Sequence, residues 1–264
     1  MGTEVVLREP CFQAAPSNFD RPFKILVQNQ VFLIDSEYMK KMSPVFSVMC
    51  YGKDFENGRE LSREIVDEKC SDIDVFLRAV NDPSVINATN FSVILRLSNK
   101  YMVQPVIDSC QTYIKRQNLD VLQPDEVMTL LISAYEFHCS REVMVKLIRR
   151  MAAENNTVFT RLKISRFLPA QIYGAVMSTS MNLSQLREYE AMNGHNLKME
   201  RLRIRWKPAV CQKCSVVCDQ ASTCDECKVT FCKQHVQEIA CPSDYGIKML
   251  AQLKDNVVDL EWKD

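Results

Sequence analysis

Residues 23–49 read FKILVQNQVFLIDSEYMKKMSPVFSVM, and this stretch decides how the N-terminal half of the chain is read. Phe23-Lys24-Ile25-Leu26-Val27 and Val31-Phe32-Leu33-Ile34 are short apolar runs on either side of Gln28-Asn29-Gln30. Runs rich in β-branched and aromatic side chains around a polar break predict a β-hairpin. Asp35-Ser36-Glu37 then offers an N-cap and an acidic first turn for a helix over Tyr38 to Met42. Ser43-Pro44 repeats the signal. Ser43 caps, and Pro44 takes the first helical position, where its missing N–H costs nothing. Phe46, Met49 and Cys50 give that second helix its apolar face.

Working outward, Gly52 to Gly58 reads as a polar loop and Glu64-Ile65-Val66 as a third strand. Ser71 or Asp72 caps a helix with Ile73, Phe76, Leu77 and Val80 in register. Asn90 caps the next, along Phe91, Ile94, Leu97 and Tyr101, and Val106, Cys110, Tyr113 and Ile114 repeat the period. Beyond Asn118 the pattern stays helical. Val127, Leu130, Leu131 and Ala134 form one face, and Val143, Leu147, Ile148 and Met151 another. Ile172, Ala175 and Val176, followed by Leu183, Leu186 and Tyr189, predict a further helix pair. All these stripes read as core packing. Residues 1–20, with Pro10, Pro16 and Asn18, form a loose lead-in. The expected class is α+β, with a small sheet and helices followed by an all-helical stretch.

Composition bounds the function. The 264 residues are 47% hydrophobic and 25% charged, which suits chains that bury real cores. The 33 basic and 33 acidic residues cancel, so no overall field steers the chain to nucleic acid or an anionic membrane. No stretch approaches the roughly 20 apolar residues of a membrane span, and residues 1–20 lack the apolar run of a signal peptide. A cytosolic or nuclear location, where thiols stay reduced, is therefore expected.

In that setting the 12 cysteines are informative. Cys11, Cys50, Cys70, Cys110 and Cys139 are scattered, and most read as small core residues. The other seven lie between Cys211 and Cys241. Cys211/Cys214, Cys224/Cys227 and Cys232/His235 are each separated by two residues, the gap that lets both ligands of a knuckle turn onto one tetrahedral ion. Clustering in a reducing compartment argues for zinc over disulfides. Using Cys232 and His235 as nucleophile and base is the poorer reading, because a metal-bound thiolate is not a free nucleophile. No Gly-rich phosphate loop, Gly-x-Ser-x-Gly elbow or His-Glu-x-x-His helix occurs. A non-enzyme is expected.

Three resemblances follow from these motifs. The order of hairpin, two helices through Ser43-Pro44-Val45-Phe46-Ser47-Val48-Met49, strand and helices resembles the BTB/POZ domain, and Phe91 to Ile114 is similar to that family's later helix pair. Asp120 to Met192, with Phe167-Leu168-Pro169, resembles the BACK-type extension. Cys-x2-Cys-x9-Cys-x2-Cys-x4-Cys-x2-His with Cys241 resembles B-box cross-brace fingers. The B-box resemblance implies that Cys211, Cys214, Cys232 and His235 hold one zinc. Cys224, Cys227 and Cys241 would hold a second if another ligand exists. Ser243 lies near the family's last ligand, so Cys218 or Asp244 would have to substitute, or the second site is empty.

The BTB resemblance implies a protein-interaction adaptor, with a cullin scaffold and a client protein as partners of a ubiquitin ligase; many members also form homodimers. Phe55 and Glu56 are the residues it points to for the cullin surface, with Asn57 standing where the family motif carries an acid. The alternative is a nuclear BTB/zinc-finger scaffold linked to transcription or chromatin, without ubiquitin chemistry. There the basic strip of Lys198, Arg201, Arg203, Arg205 and Lys207 would touch nucleic acid. A half-buried strand or linker accounts for its alternation better. His138 and His195 have no ligand partners nearby in the sequence and read as structural or exposed. Ile247, Leu250 and Ala251 predict a short helix, and Val257 to Trp262 a terminal strand or peptide-like tail. The expected domains are 1–20 lead-in, 21–118 BTB/POZ-like, 119–197 BACK-like, 198–243 basic strip and zinc module, and 244–264 helix and tail.

Overall fold

The computed structural model describes residues 12–13, 22–52, 62–196, 209–218 and 221–264. The chain is α+β and divides into two compact units, Met1–Leu147 with Trp262–Asp264, and Ile148–Glu261. Phe55, Glu56 and Asn57 lie outside the described residues, as does the basic strip from Lys198 to Lys207.

In the first unit the hairpin forms as the apolar runs require. Strand β2 (Pro22–Val27) pairs antiparallel with β3 (Gln30–Asp35), and Gln28 takes a left-handed φ of 53° in the turn. Phe23, Ile25 and Val27 alternate inward, matching the period of two along a pleated strand. Strand β4 (Ser62–Ile65) adds parallel to β2. The lead-in is not wholly loose: β1 (Phe12–Gln13) pairs parallel with β3, so the sheet order is β1-β3-β2-β4. Two residues carry too short a periodic signal for the sequence to have announced that strand.

Asp35 accepts from the Glu37 and Tyr38 amides and starts helix α1 (Ser36–Met42). The Ser43 hydroxyl accepts from the Phe46 amide at 3.0 Å to start α2 (Pro44–Tyr51), and itself donates to the Tyr101 carbonyl. One buried hydroxyl thus caps a helix and ties it to a residue far along the chain. Helices α3 (Cys70–Asn81), α4 (Phe91–Lys100) and α5 (Gln104–Arg116) pack against one another in a helical layer. At its centre Phe46, Phe76 and Tyr101 pack with ring centroids 5.1–6.5 Å apart, among fully buried Phe32, Phe91, Ile94 and Leu97. Ser71 and Asp72 fall inside α3, whose N-cap is Lys69 without a side-chain bond.

One charged group is buried here. The Glu68 side chain is 3% exposed and accepts two bonds from Arg96 (2.9 and 2.8 Å) and one from Lys100 (2.6 Å). Burial pushes its carboxyl up, but the bonds from Arg96 and Lys100 outweigh this and leave it below the ordinary glutamate value. Helix α6 (Pro124–Glu136) begins with Glu126 accepting from the Gln123 amide, and α7 (Arg141–Ala152) follows. The Lys146 ammonium donates to the carbonyls of Ile114, Lys115 and Gln117 at 2.7–2.9 Å, satisfying the open end of α5.

The second unit contains α8 (Asn156–Leu162), α9 (Ile164–Phe167) and α10 (Ala170–Ala191). The expected helix pair over residues 172–189 is instead one continuous helix: no proline interrupts it, and Gly174 has no heavy atom within 4 Å of where a Cβ would sit. Two small hairpins follow, β5 (Ala209–Val210) with β6 (Val217–Cys218), and β7 (Ala221–Thr223) with β8 (Thr230–Cys232). Helix α11 (Asp244–Asp255) is capped by Ser243, whose Oγ accepts from the Gly246 amide at 3.4 Å. No described helix is long and apolar enough to cross a membrane.

Candidate metal centres

The two hairpins are built around Cys-x-x-Cys loops of the same design. In the first, the Cys211 amide donates to the Val216 carbonyl (3.0 Å) and the Ser215 amide to the Cys211 carbonyl (2.8 Å). In the second, Cys224 and Lys228 make the matching bonds, to Val229 and Cys224, at 3.0 and 2.9 Å. The residue after each second cysteine is left-handed, Ser215 at φ 59° and Lys228 at φ 58°. That conformation costs a non-glycine residue about 1–2 kcal/mol, and it closes each loop so that two thiols face one point.

The thiols gather into two clusters. Cys211, Cys214, Cys232 and His235 form one; Cys224, Cys227, Cys241 and His195 form the other; within each, all donor atoms lie within 4.8 Å of one another. Hairpin β7–β8 explains the interleaving. Its loop carries Cys224 and Cys227 at one end, whereas Cys232 pairs with Ala221 at the other. The second knuckle and the Cys232/His235 pair therefore face different clusters.

In cluster one, His235 Nδ1 lies 3.2 Å from Cys232 Sγ and 3.5 Å from Cys211 Sγ. In cluster two, His195 Nδ1 lies 3.6 Å from Cys227 Sγ, and Cys224 Sγ is 4.0 Å from Cys241 Sγ. An ion about 2.3 Å from sulfur and about 2.0–2.1 Å from nitrogen spaces tetrahedral donors about 3.5–3.8 Å apart. The separations of 3.2–4.0 Å bracket that spacing, so each cluster is close to the size such an ion requires. Each set has three sulfurs and one imidazole nitrogen, the soft donors that select zinc-like cations over calcium or magnesium.

Charge within the clusters points the same way. Amides of Cys214 and Cys232 hold the Cys211 thiol down to about 5. Cys214 receives a bond from the Val216 amide, yet burial and the adjacent Cys211 thiolate hold it up. Burial pushes Cys224 up, but the Cys227 amide and His195 outweigh it and bring the thiol down to about 6. Cys227 is then pushed up to about 11 by burial and by the Cys224 thiolate. Each first thiolate opposes the next, a repulsion that a divalent cation would relieve.

His195 is the candidate ligand that spacing did not reveal. Expected to be structural or exposed, it is 1% exposed and sits inside cluster two. It follows helix α10 through a turn in which Asn193 (φ 49°) and Gly194 (φ 75°) are both left-handed. The Cys241 amide donates to the Asn193 carbonyl at 2.8 Å, and the Asp225 amide to the Asn196 carbonyl at 2.9 Å. His195 Nε2 meets the Ile239 carbonyl at 2.7 Å, so it carries the proton and leaves the Nδ1 lone pair toward the sulfurs. The ring packs on Phe231, 4.6 Å between centroids. Gly246 closes the arrangement, because a Cβ there would strike the Gly194 carbonyl and meet Cys241 Cβ at 3.2 Å.

Cys218 lies outside both clusters, on β6 opposite Ala209, with Cys232 and Cys211 nearby. Asp244 opens α11. Ser243 Oγ stands 2.9 Å from Cys241 Sγ, in contact with a thiol of cluster two. Of the scattered cysteines, Cys50, Cys110 and Cys139 are buried and Cys70 half-buried. Burial pushes Cys110 up to about 12 and Cys139 up to about 11, so neither is a nucleophile at neutral pH. The signal that could have found His195 is its place in Asn193-Gly194-His195, a turn sequence that brings an imidazole back after a long helix. The sequence matches no protein-family model, and no curated protein matches it at a significant level.

Proposed function

We propose that this chain is a non-enzymatic protein-interaction adaptor in which a BTB/POZ-like domain and a BACK-like helical stretch carry a B-box-like module holding two zinc ions. The observation that carries this reading is the interleaving of two complete four-donor sets, Cys211/Cys214/Cys232/His235 and His195/Cys224/Cys227/Cys241. Four protein donors leave no position for water, so zinc here has a structural role and the module presents a surface in preference to performing a reaction. The capped hairpin-helix-helix order from Pro22 to Tyr51 supports the BTB-like part.

The partner reading is a cullin scaffold bridged to a client protein, with Phe55 and Glu56 at the cullin surface. Native mass spectrometry of the purified chain with the N-terminal region of the BTB-binding cullin tests it. The expected result is a complex with two zinc ions per chain, lost on Phe55→Ala while zinc is kept. A zinc-loaded chain that ignores the cullin would overturn the ligase role and leave the scaffold without ubiquitin chemistry.

A further inference from the structure

The corner between α6 and α7 holds a short peptide-like segment. The Trp262 indole N–H donates to the Cys139 carbonyl at 2.8 Å. Its ring lies against Tyr135 (centroids 5.7 Å apart, 47° between planes) and His138 (5.9 Å, 36°). The Asp264 carboxylate accepts from the Arg141 amide, the first residue of α7. All these residues belong to the first unit. His138 is left-handed at φ 47°, and this turn aims the Cys139 carbonyl at the indole.

The corner therefore reads two features of a linear segment. An aromatic cradle with a carbonyl acceptor takes a tryptophan, whose indole needs such a partner when partly buried. A helix N-terminus takes a carboxylate two residues later, where the free amides and the helix dipole favour negative charge. The hold is light. Trp262 is only half-buried, Lys263 and Asp264 are exposed, and Lys263 serves as a spacer.

We propose that this corner is a recognition site for Trp-x-Asp segments of partner proteins, and that the chain's own Trp262-Lys263-Asp264 occupies it as a displaceable internal ligand. An internal ligand lowers the apparent affinity of an incoming segment by the fraction of time the corner is covered. The site involves neither metal cluster nor the cullin surface, so it stands or falls apart from the reading above.

The test uses full-length, zinc-loaded chain and a fluorescein-labelled peptide, Asp-Leu-Glu-Trp-Lys-Asp, followed by fluorescence anisotropy. Trp262→Ala frees the corner and should bind the peptide at least about tenfold more tightly than wild type. Replacing the peptide's tryptophan by alanine should abolish binding, and replacing its final aspartate by asparagine should weaken it. Equal affinity for the two chains, or binding indifferent to the peptide's tryptophan, would overturn the proposal. Should Trp262→Ala fail to fold by circular dichroism, Asp264→Ala, which removes the carboxylate at the start of α7, should still bind more tightly than wild type; no gain there would overturn it equally.

Discussion

Cluster one and cluster two have the same donors but are assembled differently. Cluster one is local: all four donors lie between Cys211 and His235, on a knuckle, the end of a hairpin strand and the 3-10 turn just after it. Cluster two takes two thiols from a knuckle, one from Cys241 and an imidazole from the turn after α10. The first shapes the module, and the second also anchors that module to the helix before it. Identical donor chemistry thus serves two mechanical purposes, decided by how far apart in sequence the donors stand.

Removing cluster one should have the largest effect. Cys211→Ser should cost one zinc by native mass spectrometry and open residues 209–241 to protease. The apparent binding energy at stake for a structural zinc is about 10–16 kcal/mol, larger than a small module's own core supplies. Far-UV circular dichroism should change little, because the helices from α1 to α10 rest on apolar cores of their own.

His195→Ala removes the one donor of cluster two that precedes Cys224 in the chain. We expect one zinc in place of two, with cluster one still loaded and the turn at Asn193-Gly194 newly cleavable. Two zinc ions in that variant would point to Cys218 or Asp244 as the substitute ligand.

Glu68→Gln serves as a control outside the metal centres. It removes a carboxylate that accepts charged bonds from Arg96 and Lys100, worth about 2–3 kcal/mol, and should lower thermal stability without altering zinc content. Because the folded Glu68 carboxyl lies below its ordinary value, its stabilisation is present above about pH 4.5 and is lost as pH falls through the folded value. The variant should lose that part of the acid sensitivity.

Gly246→Ala should have the smallest effect. The new methyl strikes the Gly194 carbonyl, at an overpacking cost of about 1–2 kcal/mol. In a chelator titration cluster two should then release its metal before cluster one. Simultaneous release would mean that the α11 contact does not hold the His195 turn.

Local chemistry was readable from the chain; convergence was not. Apolar runs around Gln28-Asn29 implied the hairpin, and Asp35, Ser43 and Pro44 marked two helix starts, because caps and pleats depend on neighbours within a few residues. Two-residue gaps between cysteines implied the knuckles, for the same reason: a knuckle closes on itself. The grouping of Cys211, Cys214, Cys232 and His235, and of Cys224, Cys227 and Cys241, came from the B-box resemblance and not from the gaps themselves. His195 could not be found that way, since no spacing rule links an imidazole after a helix to thiols beyond an intervening stretch of chain. Only the path of the backbone, through two left-handed residues and a glycine contact at Gly246, brings it to Cys227. The same holds for Glu68 between Arg96 and Lys100, and for Trp262 against Cys139. Short-range geometry is written in the order of residues, whereas a ligand, ion pair or peptide seat shared by distant segments exists only once tertiary packing has carried them together.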